Sequence, residues 1–164
     1  MRLLPMVLIA GVGVALAATS AVGQRPDDQI IPRSLELLKQ GNDHLAAGRF
    51  VEADEALETA LAVDPRNRAA YNSLARVAQR EKLFGQSIRY TKKALLLEPS
   101  DRDAIAIQGE AMVELGALAR AKENQAKLQK LCPSGCAQLA ELSATITRGP
   151  SVASAKAPEV PKSN

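Results

Sequence analysis

The chain has no Trp, two Phe, two Tyr, two Cys and a single His in 164 residues. Each shortage removes a kind of chemistry. One histidine, His44, has no second His to complete a zinc site. No Gly-rich loop is placed to cradle a phosphate. The formal charge is +3, and it falls to +2 without residues 1–23, whose only charge is Arg2. A balance this small gives no argument for nucleic acid. The acids Glu52, Asp54, Glu55 and Glu58 read as a solvated helix face, and His44 as a packing residue. The chain is therefore expected to be no enzyme, with no cofactor and no metal.

What the chain has is Ala and Leu, which dominate its 46% hydrophobic content, with Glu, Lys and Arg between them. That mixture favours helices. The N-terminus departs from it. Arg2 precedes an apolar run from Leu3 to about Ala18, and the small residues Ala21-Val22-Gly23 follow. This is the layout of a secretory signal, with cleavage expected near residues 21–23. An uncleaved anchor is the alternative, because no charge interrupts Leu3 to Gln24. Either way the positive end stays inside and the rest is exported. Residues 24–33 read as a linker. Residues 149–164, with three prolines among small polar residues, are predicted to be disordered.

Between these ends lies a period of 34 residues. It joins Pro65, Pro99 and Pro133; Gly41, Ala75 and Gly109; Phe50, Phe84 and Leu118; Ala53, Ser87 and Ala121; and Ala60, Ala94 and Leu128. Small residues let paired helices approach closely. A proline at each boundary turns the preceding residue away from helix. A single pair cannot bury its apolar face, so the pairs must stack and end in a cap with a polar outer face. Helices are predicted at about 34–47, 51–63, 68–81, 86–97, 102–115 and 118–131. A capping helix is predicted over 136–148, where Leu139, Leu142 and Ile146 recur at helical spacing.

Residues 34–67, 68–101 and 102–135 each resemble a tetratricopeptide repeat (TPR), with small residues at 41, 53 and 60, a turn at Gly48-Arg49-Phe50 and Pro65 closing the first. The middle repeat departs from the pattern, placing Lys82 where the turn glycine belongs. The resemblance implies a right-handed, all-α solenoid of three helix pairs plus a cap. Its concave face would bind a protein or peptide segment through Asn42, Asn72, Arg76, Gln79, Arg80, Glu110 and Glu114. The carboxylate clamp of some relatives is not reproduced: Asn42 matches, but Leu38, Ser73, Asp103 and Ile107 do not. Composition and resemblance together imply a bacterial periplasmic adaptor. No membrane insertion is expected once the signal is cleaved. Charge is segregated, −4 over 34–67, +4 over 68–101 and +1 over 102–135, which would favour self-association or steer a partner.

Cys132 and Cys136 flank Pro133 at the third boundary. In an exported protein two cysteines usually oxidise, which would tie the cap to the last repeat. A redox pair or a soft-metal clip for Cu(I) stays open beside this. Against them stand the C-x3-C spacing and the absence of Met or His within the motif.

Overall fold

The computed structural model describes residues 29–151. Residues 1–28 and 152–164, on which the expected signal segment 1–23 and parts of the expected linker and tail fall, lie outside this range. The described residues form seven helices and no strand. They are α1 (Pro32–Ala46), α2 (Phe50–Val63), α3 (Arg68–Arg80), α4 (Phe84–Leu97), α5 (Arg102–Glu114), α6 (Leu118–Leu131) and α7 (Ala137–Arg148). The all-α architecture is the one expected, and each helix boundary falls within two residues of the sequence reading. α1 begins earlier, taking Pro32 and Arg33 from the expected linker. Pro at the first turn suits a helix start, where its missing N–H costs nothing. Cys136 is the N-cap of α7 rather than a residue of its first turn.

Each helix packs on the next in sequence. α1, α3, α5 and α7 also approach their neighbours in that series, whereas the backbones of α2, α4 and α6 do not approach one another. The odd helices are therefore crowded on the inside of a curve and the even ones spread on its outside. This defines a concave face lined by α1, α3, α5 and α7.

The 34-residue columns become contacts. Gly41 lies so close to Leu57 that an added Cβ would stand 2.5 Å from its Cγ. Gly109 is approached in the same way by the fully buried Leu142 of α7, with both Cδ atoms 2.7 Å from an added Cβ. α5 is enclosed by its neighbours, and Ala104 to Gly109 and Ala111 to Val113 are all buried. A buried polar ladder fixes it: Asn124 Nδ2 donates to Ile105 O at 3.0 Å and to Gln108 Oε1 at 3.2 Å, and Gln108 Nε2 donates to Thr91 Oγ1 at 3.4 Å.

The repeat boundaries share one device. Asp64, Glu98 and Cys132 end α2, α4 and α6 with φ of −144°, −145° and −138°, out of the helical region as a following proline favours, and Asp64 and Glu98 are fully extended. Asp64 accepts from the backbone N–H groups of Arg66 and Ile31, at 3.0 and 2.9 Å, and from the Arg66 side chain. Glu98 accepts from the Ser100 N–H at 2.9 Å and contacts its hydroxyl. At the third boundary the corresponding side chain is Cys132. Its sulfur lies at disulfide distance from that of Cys136, with the Cα atoms 6.0 Å apart.

Candidate functional site on the concave face

The exposed part of the concave face is set by which odd-helix positions are left uncovered. Asn42 of α1 is exposed, and its Oδ1 accepts from Ser73 Oγ of α3 at 2.7 Å. Arg76 and Gln79 of α3 are half-buried and Arg80 is exposed. Gln79 Nε2 donates to the Ile107 carbonyl at 2.9 Å and reaches Glu110 Oε2 at 3.5 Å. Arg80 has no hydrogen-bond or ion-pair partner among the described residues. Burial pushes the Glu110 carboxyl above its usual range, with Glu141 adding to the rise. Arg76, Gln79 and Arg148 oppose it.

One expected groove residue is not in the groove. Asn72 is buried, and its Nδ2 donates to Asp101 Oδ2 at 2.8 Å. Asp101 is the N-cap of α5, accepting from the N–H groups of Asp103 and Ala104, and it also meets Arg68 at 3.2 Å. The side chain of Asn72 thus ties α3 to the start of α5. Repeat phase alone put it on the concave face, because phase cannot say how deeply the next helix start intrudes. His44 is half-buried as expected, and its Nδ1 accepts from Arg49 Nε at 2.9 Å across the α1–α2 turn.

Gln79, Arg80, Glu110 and Glu114 come together in a cleft of about 270 Å³, completed by Lys82, Phe84, Thr145, Arg148 and Ser151. Arg148 was absent from the sequence-derived site, yet the signal existed. Carrying the 34-residue step once more past Arg80 and Glu114 lands on Arg148, so the rim column reads Ala46, Arg80, Glu114, Arg148. A larger cleft of about 420 Å³ opens at the other ends of the odd helices, around Glu98, Asp101 and Asp103. Its acids are already engaged: Glu98 with Ser100, Asp101 as described, and Asp103 with Gln138 at 2.8 Å. In the concave cleft Gln79 reaches Glu110, Ser151 donates to Glu114 and Arg148 donates to Thr145, while Arg80 keeps no partner among the described residues.

No group of three or more His, Cys, Asp or Glu side chains suited to a metal occurs among the described residues. No helix among them is long and apolar enough to cross a membrane.

No protein-family model matches the sequence, nor does any curated protein. Solved structures do match the fold. The first TPR of Spaghetti (RPAP3), bound to an HSP90 peptide, superposes with a TM-score of 0.64 at 24% identity, over 71% of this chain and 92% of that one. The chain has a TPR fold. The Sgt2 TPR domain from Aspergillus fumigatus is similar at TM-score 0.66 and 20% identity, over 72% of this chain and 79% of that one. The TPR2B domain of yeast Sti1, in its pHsp70 complex, is similar at TM-score 0.65 and 16% identity, over 71% and 97%. In this TPR fold the cleft is lined by side chains of α3, α5 and α7, with Lys82 of the α3–α4 turn, Phe84 of α4 and Ser151 at its edge.

Proposed function

We propose that this TPR domain is a non-enzymatic adaptor that holds a peptide or protein segment in its concave groove. The observation that carries the reading is the half-buried cluster Arg76, Gln79 and Glu110 beside Arg80, which is exposed and has no hydrogen-bond or ion-pair partner among the described residues. A guanidinium gives directed, charge-assisted bonds to carboxylates, and the Gln79 amide oxygen can accept from a peptide N–H while its nitrogen stays on Ile107 and Glu110. Similarity to TPR domains solved with HSP90 and HSP70 peptides supports it. Leu38, Ser73, Asp103 and Ile107 still depart from the carboxylate clamp; Ile107 is buried and Asp103 is bound by Gln138, so a different peptide chemistry is expected. The test is selection from a displayed peptide library on the domain and on Arg76→Glu with Arg80→Glu. Peptides retained by the first and lost by the second, with helicity unchanged, are the expected result. Equal retention overturns the groove assignment.

Export to the periplasm is part of the proposal, supported by Arg2, the apolar run after it and the small residues near 21–23. N-terminal sequencing of protein from the envelope distinguishes the cleaved form from the anchored one. Cys132 and Cys136 are read as a structural disulfide closing the third boundary. Their use as a thiol-redox or copper-handling pair is the alternative, supported by the place of Cys136 at a helix N-terminus. Thiol exchange or bound copper in the isolated protein would favour that alternative. Self-association through the opposed charges of repeats one and two is read by sedimentation at low and high salt. Mass that grows only at low salt supports it, and a constant monomer excludes it.

A further inference from the structure

α2 and α4 cover the same span of their repeats, Phe50–Val63 and Phe84–Leu97, a step of 34 residues at both ends. Short turns reverse the chain between successive helices, so the two run in the same direction. Tyr90 of α4 packs on the cluster that holds Ala53, Leu57 and Ala60 of α2, which sets the two helices side by side on the outer face. With Ala53, Leu57 and Ala60 turned to the core, helical spacing turns Glu52, Glu55 and Glu58 away from it, and all three are exposed. With Ser87, Thr91 and Ala94 buried, α4 turns Arg89, Lys93 and Leu96 outward. Leu96 is 84% exposed, although it is a large apolar side chain. Glu52, Glu55, Glu58 and Arg89 have no side-chain hydrogen bond or ion pair among the described residues, and Lys93 has the face of the Tyr71 ring, 5.7 Å away.

This face is complementary to itself. A half-turn about an axis that runs between α2 and α4, parallel to both, lays each α2 on the α4 of a second copy. Because the helices match residue for residue at a step of 34, Glu55 then faces Arg89 and Ala62 faces Leu96. Glu52 and Glu58 fall within one turn of Arg89 and Lys93 respectively. Each contact occurs twice, as in any two-fold interface. A half-turn about the perpendicular axis in the same plane would set acid on acid. An anionic surface such as lipid would meet the acids of α2 beside the bases of α4, so the face fits a partner that carries both signs. We propose that two copies of this chain pair through the outer faces of α2 and α4 about such a two-fold axis, leaving both concave grooves open. Exposed charge pairs are individually weak and screened by salt, so the dimer is reversible and favoured at low ionic strength. The pairing rests on the self-association reading above, to which it adds a face and a symmetry.

Sedimentation velocity of the full chain is expected to show a monomer–dimer equilibrium at about 20 mM salt that shifts to monomer at about 500 mM. Glu55→Arg and, separately, Arg89→Glu each set like charges together at two places in the dimer. Each is expected to raise the dissociation constant about tenfold, with unchanged helicity as the control for folding. Mixing the two variants is the deciding measurement. In equal amounts they restore opposite charges at both contacts, so a mixed dimer is expected at a concentration where neither variant pairs with itself. A chain carrying both substitutions is expected to dimerise like the unaltered one. A mixture that stays monomeric overturns the proposal. A dimer that neither substitution weakens overturns this face but leaves the self-association reading standing, whereas a constant monomer of the unaltered chain at low salt overturns both. Mass that grows past the dimer overturns the two-fold arrangement, because head-to-tail contacts need not close. A monomer that sediments with anionic phospholipid vesicles, and loses them on Arg89→Glu, overturns it in favour of a lipid contact.

Discussion

Lys82 stands at φ 62°, in the left-handed region where Gly48 and Gly116 serve the other two α-hairpin turns at φ 72° and 74°. The turn geometry is a property of the repeat, so the middle repeat adopts it with a side chain that disfavours it. Lys82→Gly is expected to stabilise the domain by up to about 1 kcal/mol, the gain in strain being partly offset by the greater freedom of an unfolded glycine. Urea denaturation would read this as a higher midpoint with an unchanged slope. Asp64 gives a second expectation. Hydrogen bonds from the Arg66 side chain, and from the backbone of Ile31 and Arg66, hold its carboxyl at about 2, against 3.8 ordinarily. A carboxyl lowered by folding stabilises the fold above its ordinary value and loses that contribution as pH falls through the folded value. Stability should therefore decline between about pH 4 and pH 2, and Asp64→Asn should flatten that part of a thermal-denaturation series.

At the scale of elements, α7 is what closes the core. Leu142 fills the space over Gly109, and Ile146 packs with the buried residues of α5 and α6. Gly109→Ala should cost about 1–3 kcal/mol by overpacking, and Leu142→Ala about 2–5 kcal/mol by leaving a cavity. The double variant should cost clearly less than the sum, because each change relieves the other, and a double-mutant cycle reads that coupling. Additive losses would mean that α7 is not seated on Gly109. Cys132 belongs to the same element boundary, in the column where Asp64 and Glu98 hold their turns by hydrogen bonds. Cys132→Ser with Cys136→Ser should cost about 2 kcal/mol in the chain-entropy account of a short closed loop. Hydrogen exchange should rise first in α7 rather than in α1 or α2.

For the whole molecule, Glu110 makes the groove's charge sensitive to pH. Glu110 faces Arg76, Glu141 and Arg148, and burial raises its carboxyl above the ordinary 4.5. As pH falls through that raised value the groove loses one negative charge, so an acidic peptide should bind more tightly. Glu110→Gln should bind such a peptide at neutral pH as tightly as the unaltered domain does once Glu110 is protonated, and fluorescence anisotropy titration across pH checks both. Anisotropy that is flat with pH in the unaltered domain would remove Glu110 from the peptide's path.

The sequence alone determined the repeat. A period of 34 in small residues and prolines reports on close packing and on backbone bias, both local enough to read from spacing. The helix boundaries followed, as did the turn position that Lys82 occupies; Arg148 lies one step further along the same period but was not read as part of the site. Only the tertiary structure decided which phase-equivalent positions remain open. Asn42 and Asn72 are both asparagines assigned to the groove, yet one stays on the surface and the other is buried against the α5 N-cap. Exposure depends on the neighbouring helix and on the chain that follows it. The seat of Ser151 on Glu114 is likewise a contact between residues 37 apart, which no local pattern encodes.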